Sequence, residues 1–180
     1  MRISAYHDLP FAIFRYDPKD EFKCRKHIRL LSLSLEAKLN KKVTLISLGK
    51  ILWKIVDETE GMDAIINTEK QLGFTRAQQT VNSLLLDQDF LPLTDILEYR
   101  LNKLNPAIDI VFLVRVGGIS PAIYRCSALL DQLHGRVLVP IILFYPGSIE
   151  GQTSLRFMNL PNRNNVGSYN YRVKIYGGKS

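Results

Sequence analysis

The fold is decided by the stretch from Asp109 to Gly147, which reads DIVFLVRVGGISPAIYRCSALLDQLHGRVLVPIILFYPG. Two apolar runs, Ile110–Val116 and Val137–Tyr145, flank Pro121–His134, in which the apolar residues fall close to helical spacing. A strand, a helix and a strand with short connections form a βαβ unit. Strands that are apolar throughout are covered on both faces, which is typical of parallel sheets. The stretch therefore predicts an α/β fold with a mostly parallel sheet flanked by helices.

A second βαβ unit is predicted near the start of the chain. It consists of strand Phe11–Tyr16, helix Phe22–Leu39 and strand Val43–Ser47, and its crossover should be right-handed. Asp20 is a suitable cap for the helix, and Asn40 is a suitable C-terminal stop.

Between these two units the sequence predicts only helices. Ser47 and, further on, Thr75 and Thr94 are suitable N-caps. The predicted segments are Leu48–Glu58, Met62–Leu72, Thr75–Leu86 and Thr94–Leu104. Since this region is too long for a simple crossover, residues 48–104 are predicted to form a helical insertion or subdomain within a single α/β domain spanning residues 1–180.

The C-terminal region leaves two alternatives open. Ser154–Met158 either pairs with a strand at Tyr169–Tyr176, as a hairpin across Asn159–Gly167, or forms a short helix.

The composition of the chain limits the classes of function to be considered. The net charge of +7 and pI of about 9.5 permit contact with nucleic acid, but the basic residues are spread along the chain, so direct DNA contact is not favoured. Cys24 and Cys126 lack C-x-x-C partners and are expected to be reduced thiols. The N-terminus is too polar for a signal peptide, and no apolar run reaches the roughly 18 residues of a membrane span. The expectation is a cytoplasmic protein without membrane contact.

The most suggestive site is the RVGGISP turn, because ligands of open parallel sheets bind at the carboxyl ends of the strands. Its helix N-terminus and nearby arginines are suited to a phosphate or carboxylate. The residues of this candidate anion site are Arg115, Gly117, Gly118, Ser120, Pro121 and Arg125. The turn has neither the Walker A nor the G-x-G-x-x-G pattern. A tight turn that uses glycine for its geometry is therefore the favoured alternative.

A second candidate is the sheet-edge loop FYPGSIEG, with Pro146, Gly147 and Gly151. Pro-Gly is a strong turn signal. Asp17 and Glu150 should lie near the same edge, but oxygen-only metal sites usually need more carboxylates, so no metal is expected. The three histidines do not form a set with a nucleophile, and the G-x-S-x-G elbow is absent. We therefore expect no catalytic residues and no cofactor.

Several segments, taken in order, resemble the BrxB proteins of bacterial BREX (bacteriophage exclusion) systems. They are PFAIFRYDPKDEFKCRKHIRLLSLSLE, ISLGKILWKIV, FLVRVGGISP, RCSALLDQL and VPIILFYPGSIEGQTSLRF. The residues that match family motifs are Arg115, Val116, Gly117, Pro121, Tyr124, Phe144, Pro146, Gly147, Gly151 and Gln152. The chain departs from the pattern at Thr153, where serine is expected, and the loop Asn159–Tyr169 is not matched.

This resemblance implies a small, non-enzymatic component of an antiphage system. BREX systems distinguish host from phage DNA with the help of a methyltransferase, and they also contain a large ATPase and an alkaline-phosphatase-like PglZ protein. A BrxB-like protein is then expected to be an adaptor that docks these larger subunits. The alternative is a degenerate nucleotide- or phosphate-binding module, or one that contacts DNA.

Overall fold

The computed structural model describes residues 10–86, 93–119, 126–150, 154–160, 168–170 and 173–177. The helices are α1 (Glu21–Leu39), α2 (Leu48–Thr59), α3 (Met62–Leu72), α4 (Phe74–Leu86), α5 (Leu93–Leu101) and α6 (Cys126–Leu133). The strands are β1 (Phe11–Tyr16), β2 (Lys42–Ser47), β3 (Asp109–Val114), β4 (Ile141–Glu150), β5 (Ser154–Phe157), β6 (Ser168–Asn170) and β7 (Lys174–Tyr176).

The main sheet is parallel, with strand order β2-β3-β4-β1-β7. Strands β1 and β4 run side by side at its centre, from Phe11 opposite Ile141 to Tyr16 opposite Pro146. Both predicted βαβ units are present, and α2–α5 lie between β2 and β3 in the chain. The predicted α/β class with a helical insertion is therefore confirmed.

The two faces of this sheet are covered very differently. One face carries Ile13, Leu113 and Leu143, which join buried residues of α2–α6 in one large hydrophobic core. The other face carries Phe112 and Phe144, which pack against Cys24 and Ile28 of α1 in a much smaller cluster. The helical insertion thus shares its core with the sheet, whereas α1 lies on the opposite face.

Three helix starts differ in detail from the sequence prediction. Helix α4 begins at Phe74, so Thr75 lies in its first turn and is not the N-cap. The break before it falls at Gly73, whose φ of 84° lies in the left-handed region and whose carbonyl accepts from the Ala77 N–H. Helix α5 begins at Leu93, and Thr94 donates its hydroxyl hydrogen bond to Gln132 of α6. Asp20 stands at the N-cap of α1 but makes no side-chain cap bond.

Strand β4 is shifted relative to its prediction, and the turn expected at Pro146-Gly147 is wrong. The strand begins at Ile141 and continues through both residues to Glu150. Up to Pro146 it pairs in parallel with β1, and from Gly147 it pairs antiparallel with β5. The dipeptide therefore marks the place where one strand passes from one ladder to another, an environment that tolerates proline because the strand changes partner there.

The C-terminal alternatives are settled in favour of strands. Ser154–Phe157 is strand β5, which pairs antiparallel with β6, so the short-helix alternative is wrong. The strand predicted at Tyr169–Tyr176 is divided, because β7 leaves the hairpin and pairs in parallel with β1.

Candidate functional site

A pocket of about 350 Å³ lies at the carboxyl ends of the parallel strands, where the sequence places the candidate site. Four predicted residues, Arg115, Gly117, Gly118 and Pro146, line this pocket together. Gly147 follows Pro146 within β4. The predicted residues Ser120, Pro121, Arg125 and Gly151 lie outside the described residues. The structure thus brings the first half of the RVGGISP turn and the start of FYPGSIEG to one place.

The backbone of this turn is left-handed at a residue other than glycine. It is Arg115 that has a φ of 59°, whereas Gly117 and Gly118 are not among the residues with positive φ. Strand β3 ends at Val114, one residue before Arg115. A 3-10 turn, Val116–Gly118, follows. The chain therefore changes direction at Arg115, the residue that carries a positive charge of the predicted site.

Gly118 has a packing role that explains its lack of a side chain. A Cβ atom on Gly118 would lie 3.0 Å from the Cα of Gly49, in the first turn of α2. A Cβ atom on Gly117 would meet nothing within 4 Å. At Gly118 the close approach of two backbones supports the alternative that glycine is needed for the geometry of a tight turn. Gly117 has open space around it and faces the pocket.

Other residues of this pocket were missed in the sequence interpretation, among them Arg25, Lys50, Trp53 and the acidic Glu21. Helix α2 follows β2 without a loop, and the hydroxyl of Ser47 accepts from the Lys50 N–H, as predicted for its cap. This connection brings Lys50 and Trp53 to the carboxyl edge of the sheet. The sequence signal that could have revealed Lys50 and Trp53 is the direct connection of a strand to a helix that is N-capped by the last residue of the strand.

The charges around the pocket are predominantly basic. Arg25 is held by Glu21, with Nε 2.6 Å from the Glu21 carboxylate. Among the described ion pairs none involves Arg115 or Lys50. Trp53 is half exposed, so its ring presents an open apolar surface beside these cations. The arrangement can attract an anion and stack a flat group.

The two carboxylates considered for a metal have partners of their own. Glu150 is ion-paired with Arg156 on the neighbouring strand. The Lys19 N–H donates to Asp17, and this hydrogen bond lowers the pKa of the Asp17 carboxyl. Within the described ranges, no group of three or more His, Cys, Asp or Glu side chains is placed to hold a metal ion.

Cys24 and Tyr16 lie beside the pocket on the α1 side, and both hold their protons at neutral pH. Burial raises the pKa of the Cys24 thiol to about 11, so that little reactive thiolate forms. Burial and the hydrogen bond that Tyr16 donates to Glu21 raise the pKa of the Tyr16 hydroxyl. Cys24 and Cys126 are both buried and form no disulfide. Neither Cys24 nor Tyr16 is poised as a nucleophile or base.

A different kind of surface lies on the α1 face of the sheet. An open groove of about 430 Å³, here called the α1 groove, runs between α1 and β1. Its main lining residues are Phe14, Tyr16, Lys23, His27, Leu31 and Phe144. Phe14 and Leu31 are 38% and 43% exposed, which is high for aromatic and aliphatic side chains that line one continuous depression.

Comparison with known proteins places this architecture in a family. The family model described as "BREX protein BrxB" matches residues 44–175, from β2 to β7. The chain belongs to the BrxB family. A BrxB relative from Bacillus cereus (strain H3081.97), named "BREX protein BrxB", is 28% identical over 162 residues, covering 88% of this chain and 81% of the relative.

The family match includes Arg115, Gly117, Gly118, Pro146 and the strand switch at Gly147. No solved structure matches the chain. In the described part of the chain, no helix is long and apolar enough to cross a membrane. Membership of the BrxB family makes the chain a BREX phage-defence protein.

Proposed function

We propose that this BrxB-family chain is a non-catalytic adaptor that docks larger BREX subunits, with a PglZ-like protein as its first partner and the ATPase or the methyltransferase as others. The observation that carries the proposal is the half-covered apolar face of the sheet beside α1. A small protein gains little from leaving such a surface in water unless another molecule covers it. In this proposal the protein acts in the cytoplasm, where the BREX subunits meet phage DNA.

The side chains of the pocket lined by Arg115, Lys50 and Trp53, called the main pocket, support a binding role. The carboxylate that lines this pocket, Glu21, is ion-paired with Arg25 and accepts a hydrogen bond from Tyr16, and Tyr16 and Cys24 beside it hold their protons. General acid-base chemistry needs a side chain whose pKa lies near the working pH. Binding is thus the chemistry that the described residues support.

The proposal is tested by mixing the purified chain with the purified PglZ-like protein of the same operon and measuring their masses by analytical ultracentrifugation. We expect a complex of fixed stoichiometry that forms without nucleotide. Two separate sedimenting species at micromolar concentrations would contradict docking to this partner.

A second candidate function is binding of a phosphate-bearing ligand at the main pocket. It is favoured by one observation, the convergence of Arg115, Lys50 and the exposed ring of Trp53 at the N-terminal end of α2. A phosphate would meet the two cations, and a nucleotide base would stack on the ring. This function is compatible with the adaptor role, since a ligand could then regulate docking.

Thermal unfolding with ATP, GTP and inorganic phosphate tests this second function. A ligand at a hundred times its dissociation constant stabilises a protein by about 2.7 kcal/mol, which moves the Tm by several degrees. We expect such a shift to disappear in Arg115→Ala and to persist in Arg136→Ala, since Arg136 pairs with Asp95 and Glu98 away from the pocket. Unchanged melting with all three ligands would contradict the site.

A further inference from the structure

The parallel sheet is wide enough for two helices on its α1 face, but α1 alone covers that face in the described structure. Five strands at about 4.8 Å spacing span roughly 19 Å, whereas one helix with its side chains is about 10 Å across. Helix α1 rests on Phe112 of β3 and Phe144 of β4 through Cys24 and Ile28. A strip of the sheet about one helix wide therefore remains uncovered over β1 and β7.

The floor of this remaining strip is apolar and accessible. Strand register places Phe14 of β1 between Phe144 of β4 and Tyr176 of β7, all on the α1 face. The rings of Phe14 and Phe144 are in contact, with centroids 5.5 Å apart. Phe14 and Tyr176 are each 38% exposed, and Leu31 closes the strip on the α1 side. The floor thus offers aromatic and aliphatic surface to an apolar stripe.

Basic side chains flank the apolar strip on both sides. Lys23 and His27 project from α1 on one side. Lys174 pairs in register with Ala12, which places it on the same sheet face, and its ammonium lies 5.1 Å from the Tyr176 ring centroid on the far side. Asp20, the acidic residue of the lining, stands at one end. An occupant that fits has an apolar stripe with carboxylates on both flanks.

These observations favour a helix over the other occupants. A helix packs 8–10 Å from its neighbour, which matches the free width beside α1, and an amphipathic helix brings an apolar stripe flanked by charges. Duplex DNA is bound through cations along its phosphates, and its paired, stacked bases cannot stack on Phe14 or pack on Leu31. The groove follows α1 from Asp20 to Leu31, which is about three helical turns.

We propose that the α1 groove docks an acidic amphipathic helix of about three turns that belongs to another BREX subunit. This inference rests on the proposed adaptor function and specifies its surface and the chemistry of its partner. The apolar stripe of that helix packs on Phe14, Leu31 and Tyr176, while its carboxylates face Lys23 and His27 on one side and Lys174 on the other.

Two matched pairs of variants test the proposal in affinity purification from cells that express the whole operon. Leu31→Glu places a charge in the groove, whereas Leu33→Glu makes the same change on the same helix at a side chain that is 58% exposed and does not line the groove. Lys23→Glu and Lys26→Glu form the second pair, with equal change in net charge but only Lys23 in the groove. Thermal melting of each variant confirms that the fold is intact.

We expect Leu31→Glu to lower recovery of a BREX subunit by about tenfold or more, and Lys23→Glu to lower it several-fold, with both control variants close to wild type. Equal recovery for Leu31→Glu and Leu33→Glu would overturn the groove as the docking surface and leave the adaptor function standing. Failure of the wild-type chain to recover any BREX subunit would overturn both.

A photo-crosslinking amino acid at position 31 identifies the occupant directly and does not depend on a destabilising charge. We expect crosslinks to a peptide of a BREX subunit that has acidic residues flanking an apolar helical stripe, and none from position 33. Crosslinks to a second copy of this chain, to DNA, or to a segment without that pattern would overturn the proposal.

Discussion

Truncation of Phe112 to alanine is expected to lower the free energy of unfolding by about 3–5 kcal/mol. Phe112 is fully buried in the middle of β3, and its ring packs edge-on against Phe144 with centroids 5.1 Å apart. It also belongs to the small cluster that holds α1 to the sheet through Cys24 and Ile28. The cavity would therefore weaken both the sheet and its contact with α1.

The matched control for this prediction is Phe22→Ala on α1. Phe22 is 80% exposed, so that removing its ring should change stability by less than about 0.5 kcal/mol. Urea denaturation measures both variants by linear extrapolation. A loss below about 1 kcal/mol for Phe112→Ala would mean that β3 does not lie in the core, against the parallel sheet described here.

Substitution of Gly147 by alanine is expected to destabilise the protein by roughly 1–3 kcal/mol or more, because the strand switch leaves no room for a side chain. A Cβ atom at this position would lie 2.0 Å from the carbonyl oxygen of Arg156 and 3.0 Å from the Tyr145 ring. The blocking oxygen belongs to the backbone of β5, which is held in register by the pairing of Gly147 with Phe157. This steric clash can be relieved only if β4 and β5 move apart.

Gly117→Ala is the control for Gly147→Ala, since it makes the same change in an open position. Nothing lies within 4 Å of a Cβ atom there, and the backbone is not left-handed. Its stability should stay within about 0.5 kcal/mol of wild type. If both alanine variants unfolded at the same urea concentration, the strand switch at Pro146-Gly147 would be wrong.

Much of the fold could be predicted because apolar runs of parallel strands are continuous and their helices are periodic. Phe112 is buried, as the apolar run Ile110–Val116 predicts. Ile142 belongs to the second apolar run but is only partly buried, since it faces the thinly covered side of the sheet. A continuous apolar run does not show that one face of a parallel sheet carries a single helix, and this is what left Ile142 and Phe14 partly open.

Local turn signals were less informative than the long-range pairing. Pro146-Gly147 has the composition of a turn, but β5 approaches so closely that the strand continues and glycine is needed for that approach. Likewise, Gly118 is explained by its contact with Gly49, about seventy residues earlier in the chain. Contacts of this kind depend on the tertiary arrangement, so that short-range patterns do not reveal them.

Only part of the candidate site could be predicted, because several of its residues also depend on the tertiary arrangement. Because parallel strands end at one edge, Arg115 and Pro146 could be brought together from the sequence. Arg25, Lys50 and Trp53 reach that edge from helices whose rotation about their axes the sequence does not fix well. The α1 groove was not predicted at all, since it depends on how much of the sheet α1 leaves uncovered.

The most direct test of the central claim is affinity purification of the tagged chain from its native operon, followed by quantitative mass spectrometry. The adaptor account predicts recovery of the PglZ-like protein, the BREX ATPase or the methyltransferase in a fixed ratio to the tagged chain, and no such recovery with an unrelated tagged protein. Recovery of the chain alone, from cells shown to contain those subunits, would contradict it.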